Sequence, residues 1–191
     1  MRLEDYLIEV QIGTQHNINS LFNYALRSIF KADYLSKIQS TISRTVKIVE
    51  AHERNRNIIA WSRGSTIYVN KQAFDQLNLF ARTRYLLHEF MHVLQNMKRL
   101  FLFRGFKELH DLTLDLDDIV QNSLVKSFEE FLTGRKVGIG RGGKYEILAY
   151  LMSGSIHWDA ITPEGKAKFI KTLEGYDIFN LENPWWKQRL S

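Results

Sequence analysis

The chain has no cysteine and only two prolines, Pro163 and Pro184, in 191 residues. Without cysteine there are no disulfides, no thiolate metal ligands and no thiol nucleophile. Any metal must therefore be held by histidine and carboxylate side chains. A chain without disulfides fits a reducing compartment. Long apolar runs are also missing. No segment approaches the roughly 20 apolar residues that a membrane helix needs, so no membrane partner is expected. The opening Met1-Arg2-Leu3-Glu4-Asp5 is charged and acidic early, which makes a poor signal peptide. These features predict a cytoplasmic protein, and a virus-encoded protein, free in the host or carried in the particle, would read the same way. There is no internal repeat and no low-complexity linker. The charge bias is mild, +5 overall with a pI near 9.4. Its basic residues (Arg27, Lys47, Arg82, Arg99, Lys126, Lys144, Lys168, Arg189) are scattered rather than massed. A solvated surface accounts for them more readily than a nucleic-acid site.

What the chain does have is apolar material, 45% hydrophobic and 13% aromatic residues. That suffices for a buried core within one domain spanning residues 1–191. Leu21, Tyr24, Ala25, Ser28, Ile29, Ala32, Leu35 and Ile38 recur at helical spacing and predict one long helix from about Ser20 to Ser43. Strands are expected at Val46–Glu50, Asn57–Trp61 and Thr66–Asn70, the last two joined as a hairpin by Arg63-Gly64-Ser65. Further helices are expected over Lys71–Leu79, Thr83–Leu100, Asp117–Leu132, Tyr145–Met152 and Pro163–Leu173. The fold class that follows is α+β, a small mixed or antiparallel sheet packed with helices.

Residues 88–92, His88-Glu89-Phe90-Met91-His92, match H-E-x-x-H. Positions i and i+4 share one face of a helix, so both imidazoles can reach one metal ion. Glu89, next to the first ligand, is placed to take a proton from a water activated there and to pass it to a leaving amine. Tyr85, Leu86, Leu87, Phe90, Met91, Val93, Leu94 and Met97 supply the apolar positions of a buried helix, uninterrupted by proline or glycine from Thr83 to Leu100. The plainer alternative is a core helix with two satisfied histidines and a surface glutamate.

The stretch from Ile67-Tyr68-Val69-Asn70 through a linking helix to Leu86-Leu87-His88-Glu89-Phe90-Met91-His92-Val93-Leu94-Gln95 resembles the core of zincin metallopeptidases. The likeness covers roughly residues 46–152. It implies a zincin-like domain, zinc as cofactor, and a peptide or protein substrate. It also implies a substrate-pairing edge strand, for which Thr66–Asn70 is the candidate; an ordinary paired strand is the alternative. A catalytic zinc usually has three protein ligands and an open position. The metzincin extension is excluded, because Gln95 stands where it needs glycine and Lys98 where it needs histidine. Glu146-Ile147-Leu148-Ala149-Tyr150 is similar to the downstream helix of gluzincins and of small bacterial and phage metallopeptidases, which implies Glu146 as third ligand. Asp111, Glu108, His110, Glu129 and Glu130 are rivals. Tyr150, one turn beyond Glu146, and His157 are candidate catalytic donors to a developing oxyanion. A carboxylate that orients a ligand imidazole is expected among Asp115, Asp117 and Asp118.

Gly138 to Lys144 spells G-x-x-x-x-G-K, but Tyr145 stands where a P-loop needs serine or threonine, and no hydrophobic strand precedes it. A mobile loop is the better reading, and its position just before Glu146 would also suit gating of the cleft. The expected function is zinc-dependent peptide hydrolysis with Glu89 as base. Two alternatives stay open: a zincin-fold assembly protein, such as a virion component, and a protease that associates with nucleic acid. The intact Glu89 weighs against a metal site kept only for structure.

Overall fold

A computed structural model describes residues 18–53, 58–96, 104–125, 143–154, 160–183 and 186. The described residues form an α+β fold. Helices α1 (Ile18–Ile29) and α2 (Ala32–Thr45) come first, then strands β1 (Lys47–Ala51), β2 (Ala60–Arg63) and β3 (Thr66–Asn70). Five helices follow: α3 (Lys71–Phe74), α4 (Leu79–Asn96), α5 (Arg104–Ser123), α6 (Gly143–Ser153) and α7 (Pro163–Tyr176). None of these helices is long and apolar enough to cross a membrane.

The expected long helix over Ser20–Ser43 is two helices. The apolar period runs unbroken through the junction, but Lys31 is extended, with φ −62° and ψ 141°. The cause is a tertiary contact. Phe30 bridges Phe179, the Lys31 N–H donates to Ile178 O, and the Asn180 N–H and the Trp186 indole N–H both donate to Ile29 O. Partners from the far end of the chain thus satisfy backbone groups that a continuous helix would have satisfied itself.

The three strands form one mixed sheet in the order β1-β3-β2. β2 and β3 make the expected hairpin, with Gly64 at φ +59° in its turn, where a side chain would be strained. β1 joins β3 in parallel, Ile48 opposite Ile67. β3 is therefore central and carries partners on both edges. The expectation that Thr66–Asn70 is an edge strand is wrong, and the edge beside α4 belongs to β2. The shape of the hairpin alone could not tell these apart, because a third strand decides which arm lies inside.

Ile67 and Val69 turn one sheet face onto α4, whose Leu86, Leu87, Phe90, Met91, Val93 and Leu94 are buried in turn. α4 starts before Thr83. Asn78 caps it, its side-chain oxygen accepting the Ala81 N–H, and the Thr83 hydroxyl folds back onto Leu79 O. α1 covers a second side through Phe22, whose ring meets Phe90 edge-on at 5.4 Å. α6 covers a third. The helix expected at Asp117–Leu132 is α5; it begins well upstream, and 126–132 lie outside the described residues.

α5 packs against α7, which opens with Thr162 accepting the Gly165 N–H and Pro163 in the first turn. At this crossing Gly165 is buried against Ser123, and a Cβ there would overlap the Ser123 side chain. Gly165→Ala is expected to lower unfolding stability by roughly 1–3 kcal/mol, the usual cost of overpacking. Adding Ser123→Gly should restore much of the loss. Chemical denaturation of the two variants checks this; equal stability of Gly165→Ala and wild type would refute the tight crossing.

Candidate metal centre

The site is built where α4 meets α6. Ile147, Leu148, Ala149, Leu151 and Met152 are buried on α6, and fully buried Ala149 allows a close approach of the two helices. Glu146, in the first turn of α6, then faces His88 and His92, one turn apart on α4. Its Oε2 lies 3.3 Å from Nε2 of each histidine, and the two Nε2 atoms lie 3.1 Å apart. These are the described residues whose ligand atoms cluster closely enough to hold a metal ion.

The triangle has the right size for one ion. A tetrahedral metal with bonds of about 2.0–2.1 Å holds its ligand atoms about 3.3–3.4 Å apart. The chemistry of the donors agrees. The His92 Nδ1 lies 2.9 Å from Gln95 Oε1, and the Gln95 amide donates at 3.3 Å to Asp117 Oδ1. Gln95 thus presents an acceptor to His92, which places the proton on Nδ1 and leaves the Nε2 lone pair free for a metal. Asp117 is fixed on its other oxygen by the Gln121 amide at 2.8 Å. The Nδ1 of His88 is buried and has no partner among the described residues.

Of the three aspartates considered for orienting a ligand, Asp117 is the one connected to a candidate ligand, His92, and the connection runs through Gln95. Asp115 instead accepts from the Tyr176 hydroxyl, and Asp118 from the Asn122 amide. Gln95 had been noted only for the glycine it replaces. Its position three residues after His92, on the same helix face, was the available signal.

Glu89 is 6% exposed and points toward β2, where the Ser62 hydroxyl hydrogen-bonds its carboxylate. Burial pushes its pKa up, more than His88, His92 and Ser62 pull it down. A carboxylate with a raised pKa is a stronger base. Ser62 was missed in the sequence, where nothing distinguishes it from an ordinary strand serine. Glu146 goes the other way. Its burial raises the carboxyl, but hydrogen bonds from His88 and His92 outweigh that and hold it at about 2. For His92, burial opposes the charge while the Glu146 carboxylate favours it, and the net direction is up.

The Tyr150 ring packs on His88, centroids 4.3 Å apart at 61°, and burial raises its hydroxyl pKa. The rivals for third ligand go elsewhere. Asp111 pairs with Lys107 at 2.5 Å, Glu108 is exposed, and His110 is buried with its Nδ1 on Leu94 O. Glu129, Glu130 and His157 lie outside the described residues, as does most of the Gly138–Lys144 loop.

No protein-family model, curated protein or solved structure matches the chain.

Burial is the main reason that the Asp117 pKa rises from 3.8 to about 6, against the pull of Gln121 and Gln95. The folded chain then holds this proton more tightly than the unfolded chain does. The stability it confers is fully present below about pH 4 and is lost as pH rises through about 6. In metal-free protein, urea unfolding should show Asp117→Asn flattening the fall in stability over that interval. Parallel profiles for variant and wild type would contradict the assignment.

Proposed function

We propose that the chain is a zinc-dependent peptidase. The observation that carries this reading is the coincidence of three neutral-to-anionic donors at tetrahedral spacing with a buried carboxylate, Glu89, beside them. His88, His92 and Glu146 would hold the ion, with one position left open. Two imidazoles and one carboxylate, with no thiolate in the chain, suit zinc among the common divalent ions. Zinc bound there supplies a Lewis acid that makes water acidic near neutral pH and polarises a carbonyl.

The chain's own groups do the rest. Glu89, desolvated and raised in pKa, accepts the water proton and returns it to the leaving amine. Ser62 holds the Glu89 carboxylate in place from β2. Gln95, backed by Asp117, keeps His92 in the tautomer that can ligate. Tyr150, whose ring meets His88 edge-on, is the candidate donor to a developing oxyanion. The outer edge of β2 lies beside α4 and bonds no other described strand, so an extended peptide could pair there by main-chain hydrogen bonds. The resemblance to zincins in the residue pattern supports the same reading. The assembly-protein alternative gains no support from the site, because a metal held for structure alone has no use for a desolvated glutamate at Glu89.

Elemental analysis should find about one zinc per chain in the wild type and in Asp111→Ala, and little in Glu146→Ala. Glu89→Gln should retain zinc while peptide hydrolysis falls roughly 10²–10⁴-fold. Protein that neither contains zinc nor takes it up would end this proposal.

A further inference from the structure

The sheet has a second face, turned away from α4. Cross-strand partners project to the same side. The register places Lys47 and Arg63 on either side of Thr66, and Val49 and Trp61 on either side of Tyr68. These two rows lie about 7 Å apart along the strands. They alternate with Ile48, Ile67 and Ser62, which point toward α4. Lys47, Val49 and Arg63 are exposed, and Trp61, Tyr68 and Thr66 are half-buried. The indole of Trp61 stacks on the Tyr68 ring with centroids 5.3 Å apart and planes within 9°. Because β2 is an outer strand, the other face of the indole is directed past the sheet, where no described strand lies. No carboxylate occurs in either row. Glu50, the acidic residue of β1, pairs with buried Val69 and so belongs to the opposite face, where it reaches Lys71 at 3.8 Å.

We infer that this face binds single-stranded nucleic acid. An aromatic stack that ends on the outer strand offers a base a surface to extend it, and the two cations of the neighbouring row suit phosphates beside that base. The chain's net charge of +5 draws the same kind of partner. Duplex is the poorer fit, because its bases are already stacked and unavailable to Trp61. The occupant is recognised by stacking and charge, with no side chain in the rows set to read a base edge. The residues of the two rows are not among those that hydrogen-bond or pair with His88, His92, Glu89 or Glu146 among the described residues.

The test is fluorescence anisotropy of a labelled oligothymidylate, about twelve nucleotides long, titrated with the full chain at several salt concentrations. Saturable binding is expected at low salt, weakening with a log–log slope near −1.4, about 0.7 for each cation. Trp61→Ala should weaken binding about tenfold or more, and Trp61→Phe much less. Lys47→Ala with Arg63→Ala should weaken it and flatten the salt slope. These two residues are exposed, so that variant keeps the test decisive even if Trp61→Ala does not fold. Zinc content is read on every sample and should not change, which separates this site from the metal centre. Several results would overturn the inference: no binding at about 50 mM salt, binding indifferent to both sets of substitutions, or tighter binding to a duplex of equal length. Self-association through this face, lost in Trp61→Ala without any oligonucleotide binding, would overturn it too.

Discussion

Two imidazole nitrogens 3.1 Å apart, each 3.3 Å from one carboxylate oxygen, are costly to bury together. Three lone-pair donors facing one another repel unless a cation or shared protons lie between them. The rest of the fold is arranged around that constraint. α4 must be gripped from several sides so that the donors cannot swing apart. Phe22 holds it from α1, Ile67 and Val69 from the sheet, and the α6 face around Ala149 brings Glu146 close. Packing thus stores the geometry that an ion can use.

The electrostatics divide the carboxylates by role. Glu146 faces two histidines and stays ionised; Glu89 is desolvated and turned toward Ser62, and its pKa rises. Asp117 lies one residue further from the histidine pair and reaches His92 through the Gln95 amide. These residues differ in surroundings far more than in chemistry. Environment alone separates them: one faces the histidines ionised, one is desolvated with its pKa raised, and one is held between two side-chain amides.

The motif helix, the hairpin and the α+β class could be read from the residues, because each depends on short-range periodicity or on chemistry with a fixed spacing; Glu146, far downstream, was suggested only by the resemblance of its helix, and it lies 3.3 Å from both histidines. What could not be read depended on distant partners. The break at Lys31 is made by Ile178 and Phe179, and no local pattern announces it. The central place of β3 depends on β1 arriving from across the sheet. Ser62 matters only because β2 lies over Glu89. Asp117 could not be ranked above Asp115 and Asp118 because the three differ only in which way they point from α5: one inward to Gln95, one to Tyr176, one to Asn122. The start of α4 lies upstream of Thr83 because Asn78 caps the helix there and the Thr83 hydroxyl bonds back to Leu79 inside it.

The clasp between Ile29 and the far end of the chain bears on the order of events during synthesis. A ribosome delivers α1 and α2 long before Ile178, Asn180 and Trp186 emerge. Until then the Ile29 carbonyl and Lys31 amide have neither of their eventual partners, and the apolar period favours one straight helix through the junction. Bending at Lys31 therefore waits until residues 178–186 have emerged. The angle at which α1 meets Phe90, and so the support for the histidine helix, is settled only at that stage. A chain stalled before residue 178 would carry both histidines and Glu146 without the brace that seats them.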